Sequence, residues 1–213
     1  MDSDANGAGS DDIAASDDIA ASDDIALFPL STVLFPGGLL PLRIFETRYV
    51  DMVGACMRQG AAFGVVLLVA GAETGTAASF ADIGTSARVV DFQTQPDGLL
   101  GLLCRGERRF RVGQRRQQSD GLNRATVDWL PDAPLTALDP QFAPLVAVLR
   151  KVMARLANIG RFVEPNYEDA SWVSHRLAEF LPLEPPWQQR LLEIDDPNLR
   201  LELLAPLIET DRD

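Results

Sequence analysis

The sequence predicts an α+β fold: an antiparallel β-barrel carrying one packed helix, followed by a C-terminal helical bundle. Three observations lead there. Short apolar runs broken by Pro and Gly recur from Leu27 to Leu130, which is the signature of many short strands. A single stretch among them, Glu46 to Gln59, changes to helical period, and from Phe142 onward the period is helical throughout. The boundaries that follow are an acidic tail over 1–26, a β-barrel part over 27–131 and an α-helical part over 132–213.

The tail contains S-D-D-I-A-A twice and S-D-D-I-A once more, from Ser10 to Ala26. Six residues advance a helix by about 600°, so Ile13, Ile19 and Ile25 form no helical stripe. Paired aspartates disfavour strands, and low hydrophobicity with like charge predicts disorder for this segment.

From Leu27 to Ile44 the apolar runs are interrupted by Pro29, Pro36-Gly37-Gly38 and Pro41, as suits short strands at turns and edges. Tyr49, Met52, Val53, Cys56 and Met57 then follow the i, i+3, i+4, i+7, i+8 spacing of an amphipathic helix, and Gly60 supplies its left-handed stop. Phe63 to Val69 reads as a buried strand and Ala70 to Ala81 as a loop. Further strands are expected at Ile83, Ala87 to Gln93, Leu99 to Cys104, Arg109 to Val112 and Ala125 to Leu130, and a barrel is the natural closure of such a series. A proline-rich linker, Pro131 to Pro140, precedes a long helix with the stripe Phe142, Leu145, Val146, Leu149, Val152, Met153 and Leu156, ending near Gly160. Three more helices are expected at Trp172–Phe180, Pro186–Ile194 and Asn198–Ile208, the last with Leu199, Leu201, Leu203, Leu204 and Leu207 as its apolar positions.

Composition narrows the function. The formal net charge is -12, yet eight of the aspartates lie in the first 26 residues, leaving 23 acidic against 19 basic residues in the body. A body so mildly acidic disfavours nucleic acid as partner, because phosphate neutralisation calls for a basic stripe. The one dense basic run, Arg105 to Arg116, is the alternative RNA-binding face; its alternation along strands fits a solvated barrel surface better. No apolar run is long enough to span a bilayer, and the N-terminus lacks a basic segment leading into an apolar core, so a cytoplasmic protein is expected. Cys56 and Cys104 have no C-x-x-C spacing and are expected as small buried hydrophobes.

The stretch LFPLSTVLFPGGLLPLRIFETRYVDM, Leu27 to Met52, resembles the opening of the Lon protease N-terminal domain family. That pattern is "PL" at Pro29-Leu30, "V-L-F-P-G" at Val33–Gly37, "L-P-L-R-I-F-E" at Leu40–Glu46 and "R-Y" at Arg48-Tyr49. It continues with "I-G-T-x-A" at Ile83–Ala87 and "G-x-x-R-F-R-V" at Gly106–Val112. The resemblance covers Leu27 to about Glu209 and implies a PUA-like barrel, a helical part, and recognition of unfolded or partly extended polypeptides.

Catalytic machinery is not visible. The nucleotide-binding loop G-x-x-x-x-G-K-[ST] of an ATP-dependent Lon protease is absent from these residues, and the one lysine, Lys151, has no glycine-rich loop before it. The reading is therefore a stand-alone, non-enzymatic substrate-binding module. His175 is the single histidine, with Glu179 four residues on, and a surface His/Glu pair is expected. No metal or other cofactor is called for. The candidate peptide-contacting residues are Phe35, Pro36, Leu39, Leu40, Arg43, Glu46 and Arg48, with the segment Leu34–Leu42 and the loop Ala70–Ala81 as contact regions. Peptide would be held by strand addition at an open sheet edge or in an apolar groove. For Arg43, Glu46 and Arg48 a structural role is the favoured one, with Glu46 at the helix start paired to Arg43 or Arg48.

Overall fold

A computed structural model describes residues 23–71, 79–94, 99–132, 135–156 and 163–209. Six strands form one sheet: β1 Asp23–Leu30, β2 Leu39–Ile44, β3 Phe63–Ala70, β4 Ser79–Thr94, β5 Leu100–Gln117 and β6 Asn123–Trp129. Their order is β2-β5-β4-β3-β1-β6, and β5 pairs additionally with β6. Helix α1, Thr47–Gln59, lies between β2 and β3. After a 3-10 turn at Pro140–Phe142 come α2 Ala143–Arg155, α3 Ala170–Phe180, α4 Pro185–Glu193 and α5 Pro197–Glu209.

Three expectations need correction. The sheet is not wholly antiparallel, because β1 pairs with β3 in parallel, Leu27 opposite Gly64. A parallel partner requires a crossover of a dozen residues or more. The chain between them, which holds β2 and α1, supplies it. Next, β4 and β5 are continuous where several short strands were expected. Bulges at Thr85/Ala87, Val89/Asp91 and Val112/Arg115 bend these strands without ending the ladder, so residues that read as breaks are points of curvature. Finally, the last repeat is not a disordered tail: Asp23–Ala26 opens β1 and pairs with β6. Residues 1–22, and most of the expected loop at 72–78, lie outside the described residues.

The physical reason for that strand start is a set of anchors on the aspartates themselves. Trp129 Nε1 donates to Asp23 at 2.7 Å, while Asp24 accepts from Arg116 and from Arg124 Nε at 2.9 Å. These guanidinium bonds hold the Asp24 carboxyl at a pKa of about 2 against an ordinary 3.8. A depressed folded pKa contributes stability that is complete above about 4 and lost as pH falls toward 2. Asp24 is one-third exposed, so we expect about 1 kcal/mol after solvent screening. Asp24→Asn should abolish that part of the pH dependence in urea unfolding between pH 4 and 2, and an unchanged slope would refute it.

Helix α1 matches its stripe, with Tyr49, Met52 and Val53 buried and Gly60 at φ 63° closing it, although Met57 points outward at 43% exposure. Cys104 is fully buried and its thiol is pushed up to about 12 by desolvation; Cys56 is half-buried and raised for the same reason. One apolar cluster joins Val33, Phe35, Leu67 and Ile83 of the β-rich part to Leu149, Val173, Leu177 and Leu201 of the helices. Polar anchors cross the same seam. Arg109 of β5 donates to Leu192 O at 2.8 Å and to Asp195 at 2.6 Å, and Gln189 Nε2 donates to Ile83 O at 3.0 Å. In α5, Leu201 and Leu204 are buried while Leu199, Leu203 and Leu207 form an exposed ridge, so only part of the expected stripe faces inward.

Candidate functional site

The opening motif builds a knot of turns before it builds a surface. Gly37 takes φ 72° and donates to Gly106 O at 2.8 Å, while Gly106 donates back to Gly38 O at 2.9 Å. Phe35 is fully buried, its ring 5.7 Å from that of His175. Arg176 of α3 donates to Pro36 O at 2.9 Å and pairs with Glu179 at 2.8 Å, and Glu179 accepts from Leu39 N at 3.3 Å. Two residues of α3 thus grip both ends of the Pro-Gly-Gly turn. A Cβ on Gly38 would sit 2.8 Å from the backbone Phe35 O and 3.2 Å from both of those side chains, and the backbone approach is what selects glycine there.

His175 and Glu179 do not make the expected surface pair. The histidine is buried, and Glu179 turns to Arg176, which offers a full charge where the imidazole is neutral. Burial holds His175 well below its usual pKa, and the positive charges of Arg200, Arg176 and Arg109 push it further down.

The candidate residues divide accordingly. Phe35 and Pro36 belong to the knot. Leu39 and Leu40 are half-buried in β2 and Arg43 is exposed there. Glu46 pairs with Arg48 at 2.8 Å and stands at the N-cap of α1 without a side-chain capping bond. Arg48 is buried, donates to Gly121 O at 2.8 Å and lies 4.7 Å from the Tyr49 ring centre. Of the two structural partners foreseen for Glu46, the geometry selects Arg48.

Strand addition finds little to work with at β2. In an antiparallel ladder alternate residues face away from the partner. Leu39 N bonds outward to Glu179, so Pro41 and Arg43 share its phase. The first of these outward donors is taken and the second does not exist in proline. A strand edge protected in this way resists a further strand.

A surface that the motif reading missed lies one residue further on. Phe45 is 63% exposed and stands between two cavities. One, of about 160 Å³, is a mainly apolar recess of Phe28, Leu30, Pro41, Leu42 and Tyr49 between β1, β2 and α1, with Arg43 and Glu46 also lining it. The other, of about 540 Å³, is polar and is lined by Glu46, Arg48, Asp51, Gln117 and Asp120. The available signal was one of period. The alternation of β2 ends at Ile44 and the stripe of α1 begins at Tyr49, so Phe45 serves neither face.

The arginine run is largely committed within the fold. Arg108 pairs with Asp132 at 3.4 Å and lies over Trp129, Arg109 is buried, Arg115 pairs with Asp82, and Arg116 pairs with Asp24. Among the described residues no group of three or more His, Cys, Asp or Glu could hold a metal ion, and no helix is long and apolar enough to cross a membrane.

These features define a mixed α+β domain with a recessed apolar surface beside its first helix. The family model for the substrate-binding domain of the ATP-dependent protease La (LON) matches residues 24–210, and the chain belongs to that family. It is 25% identical over 191 residues to the Lon protease of Cytophaga hutchinsonii, covering 85% of this chain and 23% of that protein. It is 34% identical over 122 residues to protein cereblon of Danio rerio, covering 54% of this chain and 27% of that one. The chain therefore spans about a quarter of the length of these relatives. The crystal structure of a Lon N-terminal domain protein from Xanthomonas campestris superposes with a TM-score of 0.73 at 38% identity, covering 86% of this chain and 98% of that chain. The N-terminal domain of Mycobacterium avium complex Lon protease, at 18% identity, shares the fold with a TM-score of 0.62 over 86% of this chain and 97% of that one.

Proposed function

We propose that this chain is a non-enzymatic polypeptide-binding module of the cytoplasm that takes extended apolar segments on the surface around Phe45. The observation that carries this reading is the exposed phenyl ring beside an apolar recess in a chain whose family is named for substrate binding. A cavity of about 150 Å³ admits a benzene ring, so the recess suits one bulky side chain of the bound segment. Docking in a groove is preferred to strand addition because two of the three outward positions of β2 offer no free donor, Leu39 N being bonded to Glu179 and Pro41 having none. On the same reading, the circuit of pairings from β5 through β4, β3, β1 and β6 back to β5 is a PUA-like barrel that supports the groove. Four arginines of the run that would have to contact RNA phosphates, Arg108, Arg109, Arg115 and Arg116, are engaged by carboxylates, which favours polypeptide over RNA.

Phe45→Ala tests the reading. Aromatic anchors at the centre of an interface are worth about 2 kcal/mol or more, so affinity for a reduced, unfolded model protein should fall about thirtyfold with no change in thermal stability. Undiminished binding by the variant, followed by fluorescence anisotropy, would remove Phe45 from the site.

A further inference from the structure

Resting on the polypeptide-binding reading, we infer that the two cavities flanking Phe45 act as one bipartite site that selects an extended segment in which a bulky apolar residue is followed, within two or three positions, by lysine or arginine. The recess and the polar cavity share Phe45 and Glu46 as a common wall, so a chain crossing Phe45 reaches both. In an extended chain residues two apart point to the same side about 6.6 Å from one another, so one side chain can drop into the recess while the second residue after it reaches across Phe45 to the polar cavity.

The polar cavity carries an excess of negative charge. Glu46, Asp51 and Asp120 line it against a single guanidinium, that of Arg48. Arg48 is already directed to Glu46 and to Gly121 O. Asp51 on α1 and Asp120 in the turn before β6 both line the cavity, and both are exposed. A cationic side chain placed between them meets two carboxylates, whereas an anionic one meets repulsion from both. Charge selection at an exposed rim is screened by salt and acts strongly on association rate.

The full chain is titrated with acetylated, amidated decapeptides bearing one Leu, Phe or Ala anchor and Lys, Ala or Glu two residues after it. Leu or Phe with Lys should bind about tenfold more tightly than the same anchor with Glu at low salt, and the ratio should shrink toward unity at 0.5 M NaCl. Asp51→Lys, on an exposed face of α1, should abolish the preference for Lys over Glu while leaving the requirement for Leu or Phe intact. Equal affinity for Lys and Glu peptides that both need the apolar anchor and Phe45 would overturn the bipartite site and leave the polypeptide-binding reading standing. Failure of every peptide, together with failure of unfolded protein, would overturn both. Charge preference retained in Asp51→Lys would place it elsewhere and overturn the inference alone.

Discussion

Arg176→Met is expected to lower the free energy of unfolding by about 3–5 kcal/mol, the cost of stranding a buried carboxylate without its cation. The guanidinium is 1% exposed, pairs with Glu179 at 2.8 Å and donates to Pro36 O at 2.9 Å. Methionine keeps most of the stem volume, so the loss reports the charge and the hydrogen bonds rather than a cavity. Urea unfolding should show a lower midpoint at unchanged slope. The pH dependence separates this mechanism from simple misfit. Burial raises the pKa of Glu179 above its ordinary 4.5, with Arg176 working in the opposite direction. Without that arginine, the folded pKa rises further. An acid whose folded pKa exceeds its unfolded value costs stability as pH rises through the folded value, and nothing below the unfolded one. The deficit of Arg176→Met should therefore be greatest near neutrality and narrow toward pH 4. A pH-independent deficit would contradict the account.

Gly106→Ala is expected to cost about 3 kcal/mol, near the upper end for overpacking. Its Cβ would lie 2.3 Å from Phe35 O and 3.0 Å from Leu34 Cγ, and the first neighbour is backbone held by the knot. Relief would require breaking the reciprocal Gly37 and Gly106 hydrogen bonds. Gly37→Ala is the informative comparison. It meets nothing within 4 Å, and its cost comes from φ 72° alone, about 1 kcal/mol. Equal losses in the two variants, by thermal and urea unfolding, would show that close approach is not what demands glycine at 106.

Local elements were legible because local chemistry decides them. The stripe Tyr49, Met52 and Val53 and the stop at Gly60 appear where their spacing put them, and α3 and α4 start within about two residues of expectation. What escaped depends on partners remote in sequence. Asp23 and Asp24 read as strand-breaking until Trp129, Arg116 and Arg124 arrive from about a hundred residues away. His175 read as a surface residue because nothing in its neighbourhood in the chain announces Phe35. At the candidate site, the residues of the motif divide between the buried turn and the surface. Phe35 and Pro36 are the most distinctive letters and are spent on the turn, while Phe45 is exposed between two cavities whose walls come from β1, β2, α1 and the turn before β6.

The parallel pairing of β1 with β3 also sets an order on how the chain is assembled. Leu27 meets Gly64, but Ile25 meets Ala125, so the two halves of one strand wait for segments that emerge at different times from the ribosome. Non-local pairing of this kind is slow because loop closure precedes the reward of contact. Among the described strands, the first in chain order is thus among the last to be completed. During synthesis its N-terminal half stays unpaired until β6 is available, and the acidic residues at its head keep that waiting edge charged.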